Sequence, residues 1–127
     1  MTKPKRRILI VDDEASFTRL VKLNLESTAR FEVQTENKGA LAVETAREFK
    51  PQFIFLDMIM PDMEGSTVAC FLKSNPAFRD VPIVFLTATV STEEVGPNGG
   101  LIRGQPYLAK PVKVCQLVSC IEQFLGT

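Results

Sequence analysis

A doubly wound α/β sandwich, a parallel sheet with helices over both faces, is the fold class this sequence predicts. Three observations carry it. Short, wholly apolar runs recur at 8–11 (Ile-Leu-Ile-Val), 53–56 (Phe-Ile-Phe-Leu) and 82–86 (Pro-Ile-Val-Phe-Leu), as strands buried on both faces require. The stretches between them repeat their apolar residues at helical spacing. The two kinds of segment alternate along the chain, which favours right-handed crossovers and a parallel sheet over separate layers.

In chain order, the first run, 8–11, is the first strand. A helix is predicted over about 14–29, with Phe17, Leu20, Val21 and Leu25 on one face. Residues 31–35 alternate as a second strand, and the Ala-rich stretch 39–49 reads as a helix stopped by Pro51. The third strand is 53–56, followed by a loop with Pro61 and Gly65 and a helix over about 66–74. The fourth strand is 82–86 and a short fifth is 107–109. Val114, Leu117, Val118, Ile121, Phe124 and Leu125 then form a helical stripe. One crossover is irregular. Ser91-Thr-Glu-Glu94 resembles a capping box, yet Gly96-Pro-Asn-Gly-Gly100 follows it closely. The fourth helix is therefore expected to be short, displaced or disordered, with fast amide exchange across 95–103.

At 127 residues, 45% hydrophobic and 24% charged, the chain suits one globular domain over 1–127, with residues 1–6 as a basic lead-in. Lys+Arg and Asp+Glu balance at 15 each, so neither direct nucleic-acid binding nor an acidic membrane surface is expected. No apolar stretch reaches the length of a membrane span or signal core, and a cytoplasmic location is expected. Cys70, Cys115 and Cys120 lack metal-like spacing and read as reduced packing thiols. The chain has no histidine. That excludes Ser-His and Cys-His nucleophile pairs, His metal ligands and imidazole acid–base chemistry.

In an open parallel sheet the carboxyl ends of the strands share one edge, where ligands bind. Those ends carry Asp12 and Asp13 after the first strand, Asp57 after the third, Thr87 after the fourth and Lys110 after the fifth. One acid after a strand is more often a cap or turn residue, and Asp12 or Asp13 could cap the next helix. A cap explains neither the lysine nor the threonine. Crowded carboxylates repel by about 4 kcal/mol per close pair at an effective dielectric of about 20, a cost that a hard cation such as Mg²⁺ removes. A carboxylate can also attack phosphorus, with Lys110 and Thr87 binding phosphoryl oxygens.

These segments, with Leu56-Asp-Met-Ile-Met-Pro-Asp-Met-Glu-Gly65, Leu86-Thr-Ala88 and Tyr107-Leu-Ala-Lys-Pro111, make the chain similar to the receiver domains of two-component response regulators. The resemblance covers essentially the whole chain and includes single-domain chemotaxis regulators. It implies a flavodoxin-like fold with strand order 2-1-3-4-5. It implies phosphorylation of Asp57 by a sensor histidine kinase or a histidine phosphotransfer protein, and a downstream protein partner. Asp13, Asp57 and the Ile59 main-chain carbonyl would bind Mg²⁺, with Asp12 assisting through water and Mn²⁺ as a substitute metal. Thr87, Ala88 and Lys110 would bind the phosphoryl group. Thr87 and Tyr107 would form the switch, Tyr107 rotating inward, and Pro111 would follow a cis peptide bond. Such a protein is no enzyme beyond its own phosphotransfer and autodephosphorylation. Ile59 and Thr89 border the phosphoryl site in this pattern, and an apolar Ile59 implies slow autodephosphorylation. The irregular fourth helix puts the usual output face in question.

Three other readings fit less well. A haloacid-dehalogenase-type phosphatase has a second aspartate where this chain has Ile59. A flavin carrier needs a hydroxyl- and glycine-rich loop where Asp12-Asp13-Glu14 would repel phosphate. A phosphorylation-independent pseudo-receiver would be expected to lack one of Asp12, Asp13, Asp57, Thr87 and Lys110, and the chain has them all. With nothing predicted after the last helix, the domain would work alone, serve in a relay, or be part of a longer protein.

Overall fold

The strands alternate their side chains between two apolar layers, and this alternation sets the architecture. In the computed structural model, which describes residues 4–88, 100–102 and 105–126, strand β1 spans Arg6–Val11 and helix α1 Ala15–Glu26. Strand β2 is Phe31–Glu36, and a 3₁₀ turn, Gly39–Leu41, runs into α2, Ala42–Phe49. Strand β3 is Phe53–Asp57, α3 is Gly65–Ser74 and β4 is Ile83–Thr87. Strands β5 (Gly100–Ile102) and β6 (Gln105–Ala109) precede the last helix, α4 (Val114–Leu125).

The sheet order is β2-β1-β3-β4-β6-β5. The first five of these strands are parallel and reproduce the expected 2-1-3-4-5 arrangement. The addition is β5, which pairs antiparallel with β6 at the edge. Three residues are too few to show a period, and Gly100 reads as a turn residue, so the sequence pattern conceals this strand. The helical turn expected near 91–94 lies outside the described residues, as does Thr89.

On one face Leu9, Val11, Ile54, Leu56 and Phe85 meet Ala42 and Ala46 of α2 and Val68 and Leu72 of α3. On the other, Ile8, Ile10, Phe53, Phe55 and Leu86 meet Val21 and Leu25 of α1 and Leu117, Cys120 and Ile121 of α4. Burying one such large side chain contributes roughly 1.5–3 kcal/mol. The helix faces differ from expectation in detail. Leu20 is 57% exposed, and Thr18 takes the inward position beside Val21. Of the cysteines only Cys120 packs inside, where burial pushes its thiol up to about 11; Cys70 and Cys115 are exposed.

Gly65 closes the loop that leaves β3. Its N–H donates to the Met58 carbonyl at 2.8 Å, which turns the chain straight into α3. A Cβ at this position would lie 2.2 Å from the Asp57 carbonyl oxygen and 2.9 Å from the Met58 Cα. Both obstacles are backbone, so no side-chain rotation relieves them. Gly65→Ala should cost about 1–3 kcal/mol in urea unfolding, the usual range for overpacking; a loss below about 0.5 kcal/mol would contradict the close approach.

Candidate functional site

Every candidate side chain from the strand ends arrives at one edge because the parallel register stacks those ends together. Val11 is level with Leu56, Asp57 with Leu86, and Thr87 with Ala109. Asp12 follows β1, Asp57 ends β3, Thr87 ends β4, and Lys110 follows β6. Carboxylate oxygens of Asp12, Asp13 and Asp57 all lie within 4.8 Å of one another. Lys110 Nζ stands 2.6 Å from Asp12 Oδ2 and 3.8 Å from Asp57 Oδ1.

The acids differ in setting. Asp12 is 0% exposed and Asp57 6%, whereas Asp13 is open to solvent. Neither Asp12 nor Asp13 caps α1, whose N-cap residue is Glu14. Asp12 Oδ1 instead accepts the Glu14 N–H at 2.9 Å, a local turn that leaves Oδ2 for Lys110. Asp57 Oδ1 receives a long contact, 3.4 Å, from the Ile59 N–H, and Lys110 Nζ stands 3.8 Å away. Of the two buried acids, Asp12 is thus the one held by close donors.

Thr87 and Tyr107 are buried, and Ala88 is exposed beside them. The Tyr107 ring lies 5.4 Å from that of Phe85, inside the layer covered by α2 and α3. The Lys110 N–H donates to the Thr87 carbonyl at 2.9 Å, tying the β6 end to the β4 end. The Lys110–Pro111 peptide bond is cis. Ile59 is 59% exposed at the mouth of the site.

Four residues near the site were not singled out by the strand-end reading. Glu14 Oε1 is 3.8 Å from Lys110 Nζ, and the Phe17 ring centroid lies 4.9 Å from the same ammonium, a cation–π distance. Asn37, one residue past β2, donates its side-chain amide to the Asp12 carbonyl at 2.8 Å. Asp62 accepts the N–H groups of Gly39 and Ala40, at 3.2 and 3.0 Å, and so ties the loop after β3 back to the 3₁₀ turn that leads into α2. Asn37 was partly legible, since it follows the end of β2 at the site-side edge of the sheet, between Glu36 and Lys38. Asp62 was not, because only the folded chain brings its loop to residue 39.

Charge at this edge is unbalanced. Three carboxylates surround one ammonium, and each like pair costs roughly 3–4 kcal/mol at an effective dielectric of about 20. Burial first, then the charge of Asp12 and a shared hydrogen bond with Asp13, push Asp57 up to about 7; Lys110 and the Ile59 N–H oppose this. For Lys110 burial works to lower the pKa, but the Asp12, Asp57 and Glu14 carboxylates outweigh it and the net direction is upward. Lysine stays charged while the acids compete. A hard divalent cation fits such a donor set: oxygen ligands, two of them buried, with Asp13 open to the water that Mg²⁺ retains.

Asp57 therefore opposes folding in its ionised form. Its pKa near 7 in the folded chain lies above the ordinary carboxylate value of 3.8. The unfolded chain ionises first as pH rises, so metal-free stability falls between about pH 4 and pH 7. Asp57→Asn removes that loss. We expect the variant to exceed the metal-free parent by on the order of 2 kcal/mol at pH 8, with the gap largely closed near pH 4.5, in urea titrations. A gap independent of pH would contradict the assignment.

Comparison with known proteins agrees with this geometry. The chain matches the family described as response regulator receiver domain over residues 8–122. It is 28% identical over 123 residues to the polar-differentiation response regulator DivK of Brucella anthropi, covering 95% of this chain and 97% of that protein. It is 33% identical over 124 residues to the DNA-binding response regulator MtrA of Mycobacterium tuberculosis, covering 96% of this chain but 51% of MtrA, so it spans about half of that relative's length. Among solved structures, the chemotaxis response regulator CheY4 of Vibrio cholerae superposes with a TM-score of 0.79 at 26% identity, covering 96% of this chain and all (100%) of that one. The receiver domain of a sensor histidine kinase from Pseudomonas aeruginosa, solved with a magnesium ion in its active-site cleft, shares the fold at TM-score 0.79 and 24% identity, covering 98% and 100% of the two chains. No helix among the described residues is long and apolar enough to cross a membrane. A match that runs from the first strand into the last helix leaves one assignment: the chain belongs to the response regulator receiver domain family.

Proposed function

We propose that this chain is a phosphorylation switch in which Asp57 accepts a phosphoryl group from the phosphohistidine of a sensor histidine kinase or a histidine phosphotransfer protein. One observation carries the reading: Asp57 is buried at the end of the central strand, with two further carboxylates within 4.8 Å and an ammonium 3.8 Å from its Oδ1. Receiver domains as a family take phosphoryl groups from histidine kinases.

In the proposed transfer an Asp57 carboxylate oxygen attacks phosphorus while the phosphorus–nitrogen bond to the donor imidazole breaks, leaving an acyl phosphate. Asp12, Asp13, Asp57 and the Ile59 carbonyl would hold Mg²⁺, which supplies charge neutralisation between the acids and the incoming phosphoryl oxygens. Such an ion in the cleft of the Pseudomonas receiver domain is in keeping with this assignment. Lys110, already latched to Asp12, has only to swing toward Asp57 to pair with phosphoryl oxygens. The Thr87 hydroxyl and the Ala88 N–H lie on the next strand end and would hydrogen-bond the same group. Buried Thr87 is connected to Tyr107 through β4 and β6, so a pull on Thr87 would bias the ring packed on Phe85. The output is then a shift between pre-existing conformations that changes the affinity for a downstream protein.

Acetyl phosphate with Mg²⁺ should add one phosphoryl group to the intact protein, and Asp57→Asn should add none. No adduct, or an adduct on the Asn variant, would favour a phosphorylation-independent interaction module. Ile59, exposed and apolar at the site mouth, offers no hydrogen bond to an attacking water. Ile59→Asn should therefore shorten the lifetime of the phosphoryl adduct several-fold, and an unchanged lifetime would sink that explanation.

A further inference from the structure

We propose that Asn37 is a positioning residue for the acidic pair, fixing the peptide plane that joins Asp12 to Asp13. The inference rests on the metal reading given above and adds to it Asn37, which directly follows β2 and has no role in that reading.

The geometry starts from Asp12, whose backbone and side-chain polar groups all have partners. Its N–H donates to the Glu36 carbonyl at 3.0 Å, Oδ1 accepts the Glu14 N–H at 2.9 Å, and Oδ2 faces Lys110 Nζ at 2.6 Å. Its main-chain carbonyl accepts the Asn37 amide at 2.8 Å. That carbonyl belongs to the same rigid peptide unit as the Asp13 N–H. A partner on the carbonyl therefore sets the direction in which the chain leaves for Asp13. Asp13 itself is exposed, without the packing that immobilises Asp12 and Asp57.

The same Asn37 amide nitrogen lies 3.0 Å from Thr18 Oγ1. Thr18 is buried in the second turn of α1, and its hydroxyl in turn donates to the Ala15 carbonyl at 3.1 Å. Both amide protons of Asn37 are thus spent on the β1–α1 corner: one on the strand end, one on the helix that follows. Asn37 locks that corner from the side, and the corner carries two of the three carboxylates. A residue without two donors at this point leaves the Asp12 carbonyl short of its partner and the corner free to turn, which spreads the Asp13 carboxylate over more positions.

The test is a MgCl₂ titration of the metal-free full chain, followed by the backbone amide signals of residues 12, 13 and 57, alongside thermal unfolding. Asn37→Ala should weaken Mg²⁺ binding about five- to tenfold, the loss expected for one ligand-orienting hydrogen bond. Thr18→Val, which keeps the shape and removes the acceptor, should weaken it less, and Thr18→Ser, which restores the hydroxyl, should return it toward the parent. If Asn37→Ala is less stable yet binds Mg²⁺ within about twofold of the parent, Asn37 is only structural and the proposal fails. Should Asn37→Ala not fold, Thr18→Val and Thr18→Ser decide, and equal affinities for the two overturn it. A parent protein with no saturable Mg²⁺ response at the three acids would instead bring down the metal reading, and this inference with it.

Discussion

Crowding of negative charge at one edge of the sheet is the constraint on which the rest of this molecule turns. Three carboxylates within 4.8 Å are unfavourable in any protein, and here two of them are buried. The fold tolerates them by saturating Asp12 with donors and by leaning Lys110 across the group. Asp57 is served less closely, by a 3.4 Å N–H contact and an ammonium at 3.8 Å, and its burial beside the Asp12 charge lifts its carboxyl to about 7. An acid held this way has much to gain from a cation beside it or from conversion to an acyl phosphate. The parallel topology is part of the cause, since only a sheet with its strand ends in common brings residues 12, 57, 87 and 110 to one place.

Chemistry and reporting share these strands but not the same neighbourhood. Asp57, Thr87 and Lys110 gather at the strand ends, while Tyr107 packs into the layer beneath α2 and α3. The Lys110 N–H bond to the Thr87 carbonyl couples the two strand ends directly. On the proposed function, a ligand change at the edge is read as a repacking of one aromatic in the interior. Close packing makes such repacking discrete rather than gradual.

How much of this was legible in the sequence depended on the range of the physics involved. The apolar runs at 8–11 and 53–56 identify central strands because burial on both faces leaves no room for polar alternation. The strand-end rule then brings Asp12, Asp13, Asp57, Thr87 and Lys110 together without any knowledge of distances. Periodicity was less exact on the helices: Leu20 fits the apolar stripe of α1, yet Thr18 lies inside because its hydroxyl serves Asn37. Strand β5 was concealed by its length and its glycine. The split of roles between Asp12 and Asp57 was hidden too, because it follows from which oxygen accepts the Glu14 N–H and which the Lys110 ammonium. Those are facts of a few ångströms that no spacing in the chain encodes.

The central claim is that Asp57 is the charge-starved acid of the cluster and that a divalent cation relieves it. Side-chain carboxyl carbon shifts of the aspartates, followed by NMR against pH, test this directly. The account predicts an Asp57 midpoint near 7 without metal and a clear downward displacement in saturating Mg²⁺. A midpoint near the ordinary 3.8, or one that Mg²⁺ leaves in place, would contradict it.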